Sequence, residues 1–139
     1  METVTVTRTI AASSEEVSRA MHNLTPFIRA SGFDSFDVDD RDIRVSNKVG
    51  PAKITLHLEV VDDAEVELAY EQRKGIFEEM RTSYRLDPVS DGVEVTATTE
   101  FALDVALIGE FLDSTVISRQ RRKELEAQFD YLEEIADQS

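Results

Sequence analysis

Cysteine is absent from this chain of 139 residues. Its absence excludes disulfide bonds, thiolate catalysis and zinc sites with cysteine ligands. The chain also lacks any run of about 18 apolar residues, the length that a membrane-spanning helix needs. Its first ten residues, METVTVTRTI, lack the apolar segment of a signal peptide. We therefore expect a soluble cytoplasmic protein that is not stably inserted in a membrane.

Motifs of metal, nucleotide and nucleophile chemistry are missing as well. The two histidines, His22 and His57, are isolated, so they do not have the spacing of a zinc site. No P-loop, G-x-G-x-x-G or G-x-S-x-G motif occurs. The sequence therefore predicts neither a metal site nor a cofactor.

Lysine is scarce in an otherwise highly charged chain. Four lysines stand against eleven arginines, and 29 acidic residues give a formal net charge of -14. Such a charge repels polyanions, so we do not expect the chain to bind nucleic acid or an anionic membrane surface. Acid-rich, lysine-poor surfaces suit a cytoplasm of high salt concentration, where a screening length of about 3 Å at 1 M removes self-repulsion. We interpret the acidic composition as halophilic.

A halophilic protein is stabilised by salt. Because screening weakens the repulsion among the acidic side chains, we expect the urea midpoint of unfolding to rise between low and molar KCl. Urea titrations followed by circular dichroism at the two salt concentrations measure this shift. An unchanged or lower midpoint in molar KCl contradicts the halophilic interpretation.

Segments that resemble linkers are also missing. The chain has only five glycines and three prolines, and no repeat or low-complexity tract divides it. Its length is typical of one domain and suffices to bury roughly 68% of the surface of the unfolded chain. With 41% hydrophobic and 7% aromatic residues, the composition is that of an ordinary globular protein. We predict a single domain over residues 1–139.

The first part of the chain predicts one strand and two short helices. Residues 2–10, ETVTVTRTI, alternate in the manner of a strand. Ser13 and Glu16 have the spacing of a capping box, which starts a helix. The Thr-Pro pair at 25–26 fits the start of a second helix, and Gly32 fits its end.

The rest of the chain predicts a sheet and one long helix. Apolar and polar residues alternate through six segments, which indicates an antiparallel sheet with one covered and one solvated face. Residues 105–136 contain no proline, and their apolar residues recur at helical spacings of three and four. This order, β-α-α-β6-α, predicts an α+β fold in which the long helix covers the sheet. The six predicted strands are 33–38, 43–48, 53–61, 65–73, 77–86 and 93–103.

Three stretches carry a resemblance to a known superfamily: 6-VTRTIAASSEEVSRAM-21, 82-TSYRLDPVSDGVEVTATTEFAL-103 and 123-KELEAQFDYLEEIA-136. With the predicted order of elements, they resemble the SRPBCC (START/Bet v 1-like) superfamily, and the polyketide cyclase/dehydrase-like and coenzyme-Q-binding-like branches are the most similar. The resemblance implies the helix-grip fold, a seven-stranded curved antiparallel sheet that grips a long C-terminal helix. It also implies a cavity that superfamily members use for lipids, sterols, polyketides, quinones and other apolar small molecules.

This resemblance and the alternation of the strands together predict the wall of a cavity. We expect the chain to bind or transport a small hydrophobic ligand there, of lipid, quinone, isoprenoid or polyketide type. The alternative for the same apolar stripe is a filled core without a ligand. The predicted ligand-binding residues are Leu56, Leu58, Leu68, Tyr70, Met80, Tyr84, Val95, Ala97, Phe101, Ile108, Phe111 and Arg122, and Ile54, Val66 and Leu112 complete the predicted wall.

Two tyrosines, Tyr70 and Tyr84, fall on the apolar faces of adjacent predicted strands, with Thr82 and Thr99 nearby. A buried hydroxyl without a partner costs roughly 1–3 kcal/mol. The tyrosine hydroxyls are therefore expected either to orient a ligand carbonyl or phenol, or to bond to the backbone or to water.

Positive charge is concentrated in one segment, 117-ISRQRRKEL-125. If the direction of Phe129 is taken as inward, a rotation of about 100° per residue directs Arg122 inward and Arg121 to the flank. Arg121 then has an acidic neighbour at Glu124, one turn away, as an exposed pair. Arg122 is predicted either to anchor an anionic or carbonyl group of the ligand or to pair with a carboxylate of the sheet.

An enzyme of the cyclase/dehydrase type is the alternative function that the resemblance implies. Enzymes of this fold generally need an inward acid, base or ordered water. The alternation of the strands directs no acid inward, and Glu100, beside Phe101, falls on the solvated face. Catalysis is therefore unsupported, and no catalytic residue is predicted. A module that binds a partner protein is a third alternative, which would need an exposed apolar patch of several hundred Å².

Overall fold

The computed structural model describes residues 1–103 and 113–138, which form a seven-stranded antiparallel sheet and three helices. The predicted order β-α-α-β6-α and the α+β helix-grip class are confirmed. The strands are β1 (Glu2–Ile10), β2 (Ser35–Asp39), β3 (Asp42–Val49), β4 (Ala52–Val61), β5 (Leu68–Lys74), β6 (Phe77–Val89) and β7 (Gly92–Leu103). The helices are α1 (Ser14–His22), α2 (Leu24–Arg29) and α3 (Ser114–Gln138).

The strands of the sheet follow the order β1-β7-β6-β5-β4-β3-β2. Strands β2 to β7 each pair with their neighbour in sequence, and β1 lies beside β7. Register shifts interrupt the pairing of β4 with β5 after His57 and that of β6 with β7 after Phe77. Irregularities of this kind bend a strand and increase its twist, so they favour a sheet that curves around a helix.

The two short helices begin with different caps. Ser13 Oγ accepts a hydrogen bond from the backbone N–H of Glu16 at 3.2 Å, so Ser13 is the N-cap of α1, as the predicted capping box requires. Helix α2 begins at Leu24 after Asn23, whose side chain makes no cap bond. The Thr-Pro pair at 25–26 therefore lies inside the first turn, and the predicted start, with Thr25 as the cap and Pro26 as the first helical residue, is two residues late.

Strand β5 also begins later than the alternation predicts. Asp63 Oδ1 accepts a hydrogen bond from the backbone N–H of Glu65 at 2.9 Å, and the Asp63 carbonyl accepts one from Val66 at 3.3 Å. An aspartate that bonds its own backbone two residues on makes a turn. The turn delays the strand to Leu68, so Val66 lies before the strand and is only half-buried.

Helix α3 begins after Asp113, whose Oδ1 accepts a hydrogen bond from the backbone N–H of Val116 at 3.0 Å. Of the helix predicted over 105–136, the structure describes the part from Ser114 onward, and α3 ends at Gln138. Residues 104–112 lie outside the described residues. α3 packs against β1 and β7 and against both short helices. None of the helices in the described part of the chain combines the length and apolar character needed to cross a bilayer.

The core fills the space between the inner face of the sheet and the helices. Phe27 of α2 packs edge-on against Tyr84 of β6, with ring centroids 5.3 Å apart. Phe77 and Phe101, on adjacent strands, are also 5.3 Å apart. Such aromatic pairs contribute beyond the area that they bury, and they hold the short helices and the sheet around the buried face of α3.

Candidate ligand-binding site

A small cavity lies between the sheet and the first half of α3. Its volume is about 30 Å³, enough for one or two water molecules. Alternate residues of β3 and β4 line it because side chains at i and i+2 share a face of a sheet. The lining residues are Phe33, Val45, Asn47, Val49, Ile54, Leu56 and Phe77 on the sheet side and Ile117, Gln120, Arg121 and Glu124 on α3.

The polar side of the cavity contains a buried ion pair on α3. Arg121 and Glu124 are 6% and 3% exposed, and Arg121 Nη1 donates to Glu124 Oε1. The other carboxylate oxygen, Oε2, accepts hydrogen bonds from the amides of Gln120 at 3.0 Å and Asn47 at 3.3 Å. Every donor to Glu124 is thus itself a lining residue, and the carboxylate is fixed from both α3 and β3.

Arg121 also begins a directed chain of hydrogen bonds into the sheet. Its Nη2 donates to Thr82 Oγ1 at 3.1 Å. Thr82 Oγ1 and Thr99 Oγ1 are 2.7 Å apart, and Thr99 Oγ1 donates to the carbonyl of Arg81 at 3.4 Å. Because each hydroxyl has one proton, Thr82 donates to Thr99. In the described part of the chain, Arg121 Nε has no hydrogen-bond partner.

The environment of Arg121 keeps its guanidinium charged. Burial is the largest single effect and disfavours the charge, but the negative charge of Glu124, its hydrogen bond and the other nearby groups together outweigh it, so the pKa of Arg121 lies above its ordinary value. Nearby Tyr70 and Tyr84 act in the same direction. The cavity therefore has a permanent cation and its partner carboxylate on one side and apolar side chains on the other sides.

A second directed chain of hydrogen bonds joins the sheet, α3 and α2. Tyr84 Oη donates to Gln128 Oε1 at 2.6 Å, and Gln128 Nε2 donates to the carbonyl of Phe27 at 3.4 Å. The hydroxyls of Tyr70 and Tyr84 are 2.9 Å apart. Tyr84 has used its one proton on Gln128, so Tyr70 is the donor in this pair. The sequence left two alternatives for the partners of these hydroxyls, a ligand group or the backbone and water. The structure shows a different arrangement, in which both hydroxyls bond to side chains.

The prediction that Arg122 points inward is wrong, because Phe129 lies at one margin of the buried face. At about 100° per residue, the buried residues of α3 lie at about 40° to 140° from Phe129, all on the same side. Arg121 is at about 80°, near the centre of this arc, whereas Arg122 is at about 20° on the opposite side. The buried residues of α3 are Ile117, Arg121, Glu124, Leu125, Gln128, Phe129 and Leu132.

Arg122 and Arg8 lie at the junction of β1 and α3 instead. Arg122 is exposed, and its Nη1 donates to the carbonyl of Thr5 at 3.4 Å. Arg8 Nη1 donates to Asp130 Oδ1 at 2.7 Å, and its guanidinium lies 5.6 Å from the centre of the Phe129 ring. The hydrogen bond to Asp130 raises the pKa of Arg8. Neither arginine lines the cavity.

The other predicted site residues divide into three groups. Leu56 lines the cavity, as does Ile54 from the predicted wall. Ile108, Phe111 and Leu112 lie outside the described residues. The rest are buried in the packed core and do not line the cavity, so for them the structure has the filled core that the sequence left as an alternative. They are Leu58, Leu68, Tyr70, Met80, Tyr84, Val95, Ala97 and Phe101.

Sequence reasoning missed the polar lining and most of the apolar lining. Residues 43–49 of β3 alternate as Ile43, Val45, Asn47 and Val49, and this alternation carried enough signal to place Asn47 on the inner face. No pattern in the sequence marked Glu124 as buried, because it depends on its ion pair with Arg121. Thus the inward acid that the sequence did not show is present.

Neither histidine belongs to the cavity. His57 Nε2 lies 3.0 Å from Asp42 Oδ1, and His22 Nε2 lies 3.8 Å from Glu67 Oε2. Both pairs are at least partly exposed. Over residues 1–103 and 113–138, no three histidine, aspartate or glutamate side chains are grouped so that they could hold a metal ion.

Comparison with known proteins assigns the family. A sequence profile described as "Polyketide cyclase / dehydrase and lipid transport" matches residues 1–136. The chain belongs to this family. No curated protein sequence matches the chain significantly. Membership of the polyketide cyclase/dehydrase and lipid transport family agrees with the superfamily resemblance of the three sequence stretches.

Solved structures share the fold of this polyketide cyclase/dehydrase and lipid transport family member. The protein TTHA0849 from Thermus thermophilus is 20% identical, with 97% of each chain covered and a TM-score of 0.73. A START superfamily protein from Mycobacterium smegmatis is 14% identical, with 98% of this chain and 97% of the other covered and a TM-score of 0.72. Zhui aromatase/cyclase from a Streptomyces species is 17% identical, with 95% and 93% covered and a TM-score of 0.74.

These identities support a common fold and no more, since one fold hosts many functions. Family and fold together indicate a hydrophobic-ligand-binding or a polyketide cyclase/dehydrase-like role. A choice between the two depends on the chemistry of the cavity.

Proposed function

We propose that this protein binds a small, largely apolar molecule in the cavity between β3, β4 and α3. The observation that carries the proposal is the composition of the cavity lining, in which apolar side chains surround one buried, charge-balanced polar side. Ligand sites typically combine a mostly apolar wall with a few fixed polar groups. Arg121 and Glu124 are such groups, because hydrogen bonds hold both of them in place.

The cavity must expand when a ligand enters. Its volume of about 30 Å³ is well below the roughly 300–1,000 Å³ of ordinary small-molecule sites. Phe33, Asn47 and Gln120 are half-buried lining residues, so they form the margin nearest the surface. Movement of Phe33 opens this margin without breaking a hydrogen bond of the Arg121–Glu124 pair, whereas movement of Asn47 or Gln120 breaks a hydrogen bond to Glu124.

Filling the cavity with a larger side chain is expected to weaken ligand binding. Val45 is 3% exposed and lines the cavity, so Val45→Phe places a ring in the space that a ligand would use. We expect the affinity for the fluorescent apolar probe N-phenyl-1-naphthylamine to fall by at least about tenfold, a change of about 1.4 kcal/mol. Fluorescence titration of the probe measures both dissociation constants.

The matched control is Val6→Phe in β1. Val6 is 6% exposed and does not line the cavity, so this variant adds the same volume elsewhere in the core. Overpacking destabilises by typically 1–3 kcal/mol, and urea titrations of both variants show whether they remain folded. If wild type fails to bind the probe, or if both variants lose affinity equally, the cavity is not the ligand site.

Cyclase/dehydrase-like catalysis is the second candidate function, and Glu124 favours it. A carboxylate that lines a cavity is the group that general acid or base chemistry needs. Both of its oxygens are hydrogen-bonded, however, so proton transfer to or from a substrate requires part of this arrangement to break. Native mass spectrometry of freshly purified protein separates the candidates. A bound molecule that stays chemically unchanged on incubation supports binding, and its conversion supports catalysis.

A partner-binding module receives less support from the described surface. The exposed large hydrophobic side chains among the described residues are Met1 and Val89. Single apolar residues are normal on a protein surface and do not form the patch of several hundred Å² that a docking site requires. The cavity therefore carries the stronger argument.

A further inference from the structure

The charges of the described residues that line the cavity add up to zero. Among the described residues that line it, only Arg121 and Glu124 carry formal charge, and they pair with each other. The other polar lining residues, Asn47 and Gln120, are neutral amides, and both already donate to Glu124. An ion pair of this kind is stable in a buried site because each charge neutralises the other.

An anionic ligand group would disturb this balance. A carboxylate or phosphate in the cavity adds a second negative charge beside Glu124, and a buried charge without its own partner is very unfavourable. Each of the donor atoms best suited to hold it already makes one hydrogen bond. Arg121 Nη1 and the two amides donate to Glu124, and Arg121 Nη2 donates to Thr82.

One donor atom of a lining residue has no acceptor among the described residues. Arg121 Nε is buried and has no hydrogen-bond partner in the part of the chain that the structure describes. Buried donors are normally satisfied, and an unsatisfied one is unfavourable by roughly the desolvation penalty of the group. A carbonyl oxygen is an acceptor without formal charge, so it can satisfy this donor and leave the Arg121–Glu124 pair balanced.

We infer that the cavity selects ligands by charge: Arg121 Nε receives a neutral carbonyl oxygen, as in a ketone, ester or amide, and Glu124 excludes carboxylates and phosphates. This inference rests on the proposed function. Glu124 is then the specificity-determining residue, because its carboxylate occupies the part of the Arg121 guanidinium that would otherwise bind an anion. Replacement of Glu124 by glutamine keeps its size and leaves Arg121 as an unbalanced cation.

Two probes of matched shape test the inference. 2-Acetylnaphthalene and 2-naphthoate share the naphthalene ring and the carbonyl group. The first, a ketone, carries a neutral methyl group where the second, the anion of an acid, carries a negatively charged oxygen. Displacement of N-phenyl-1-naphthylamine at neutral pH gives their dissociation constants. We expect wild type to bind the ketone at least about tenfold more tightly than the acid, and Glu124→Gln to shift this ratio towards the acid by about 10- to 100-fold.

Glu134→Gln is the matched control, because Glu134 is an exposed glutamate on the same helix. It removes the same charge from the protein and is expected to leave the ratio unchanged. If Glu124→Gln does not fold, Arg121→Gln/Glu124→Gln replaces it. Its neutral cavity should still reject the acid, but should bind the ketone about tenfold more weakly than wild type because the donor Nε is gone.

The outcomes separate the inference from the proposed function. Binding of N-phenyl-1-naphthylamine that Val45→Phe abolishes, together with equal affinity for ketone and acid in wild type, overturns charge selection and leaves the cavity as a ligand site. An unchanged ratio in Glu124→Gln removes the role of Glu124. Failure of wild type to bind any of the three probes overturns the proposed function and, with it, this inference.

Discussion

Arg121→Leu is expected to lower the free energy of unfolding by about 3–5 kcal/mol at neutral pH. The variant leaves Glu124 buried at 3% exposure without its cationic partner, and the two amides that remain cannot neutralise its charge. Breaking a buried pair by removing one partner is among the most destabilising single changes, because the remaining charge is desolvated and uncompensated. Urea unfolding followed by circular dichroism measures the loss.

Two further variants make this expectation specific. Arg122→Leu, one residue along α3, removes an exposed arginine, and we expect a change below about 1 kcal/mol. The double variant Arg121→Met/Glu124→Leu removes both charges, and we expect it to recover most of the stability lost in Arg121→Leu, since apolar replacements of buried pairs are often neutral or stabilising. Equal losses in Arg121→Leu and Arg122→Leu would show that the ion pair is not buried as described.

High pH is expected to destabilise the protein through Tyr84. Burial raises the pKa of Tyr84 well above its usual value, and the neighbouring Tyr70 adds to this effect. In the unfolded chain Tyr84 loses its proton near pH 10, whereas in the native state it keeps it. The native state then binds more protons, so stability present below pH 10 is lost as pH rises towards the native pKa, at about 1.4 kcal/mol per pH unit.

Tyr84→Phe isolates this contribution from that of other groups. The variant has no hydroxyl to titrate at position 84, so its free energy of unfolding should fall less steeply above pH 10 than that of wild type. At neutral pH it should be less stable by about 1–3 kcal/mol, because Gln128 Oε1 loses its donor and Tyr70 loses its acceptor. Urea midpoints at pH 8, 10 and 11 measure both effects. Parallel pH profiles for wild type and Tyr84→Phe would contradict the assignment.

Local patterns in the sequence predicted the fold because local physics determines those elements. The Ser13 N-cap and the alternation in the strands each depend on neighbouring residues, and both are found in the structure. Strand β5 was misplaced at its start because Val66 fits the alternation, yet the Asp63 side chain bonds the following backbone and makes a turn. A competing side-chain bond of this kind is visible only when the chain is folded.

The polar side of the site was harder to predict, since it combines residues from separate elements. An arginine and a glutamate three positions apart are usually an exposed pair, and nothing in their spacing indicated that both face the sheet. The structure shows where the inward direction lies. The four buried apolar residues of α3 average about 55° from Phe129, which is closer to Arg121 than to Arg122. Reliance on a single phenylalanine misdirected the prediction by about one residue.

Arg122 affects how readily molecules of this protein can associate through the edge of the sheet. β1 is an edge strand of the sheet, and edge strands offer unpaired backbone groups on which another chain can add a strand. Arg122 donates a hydrogen bond to the carbonyl of Thr5 in this strand, and α3 packs against the same strand. A blocked edge limits aggregation by strand addition. This protection is independent of net charge, so it persists at salt concentrations where repulsion among acidic molecules no longer keeps them apart.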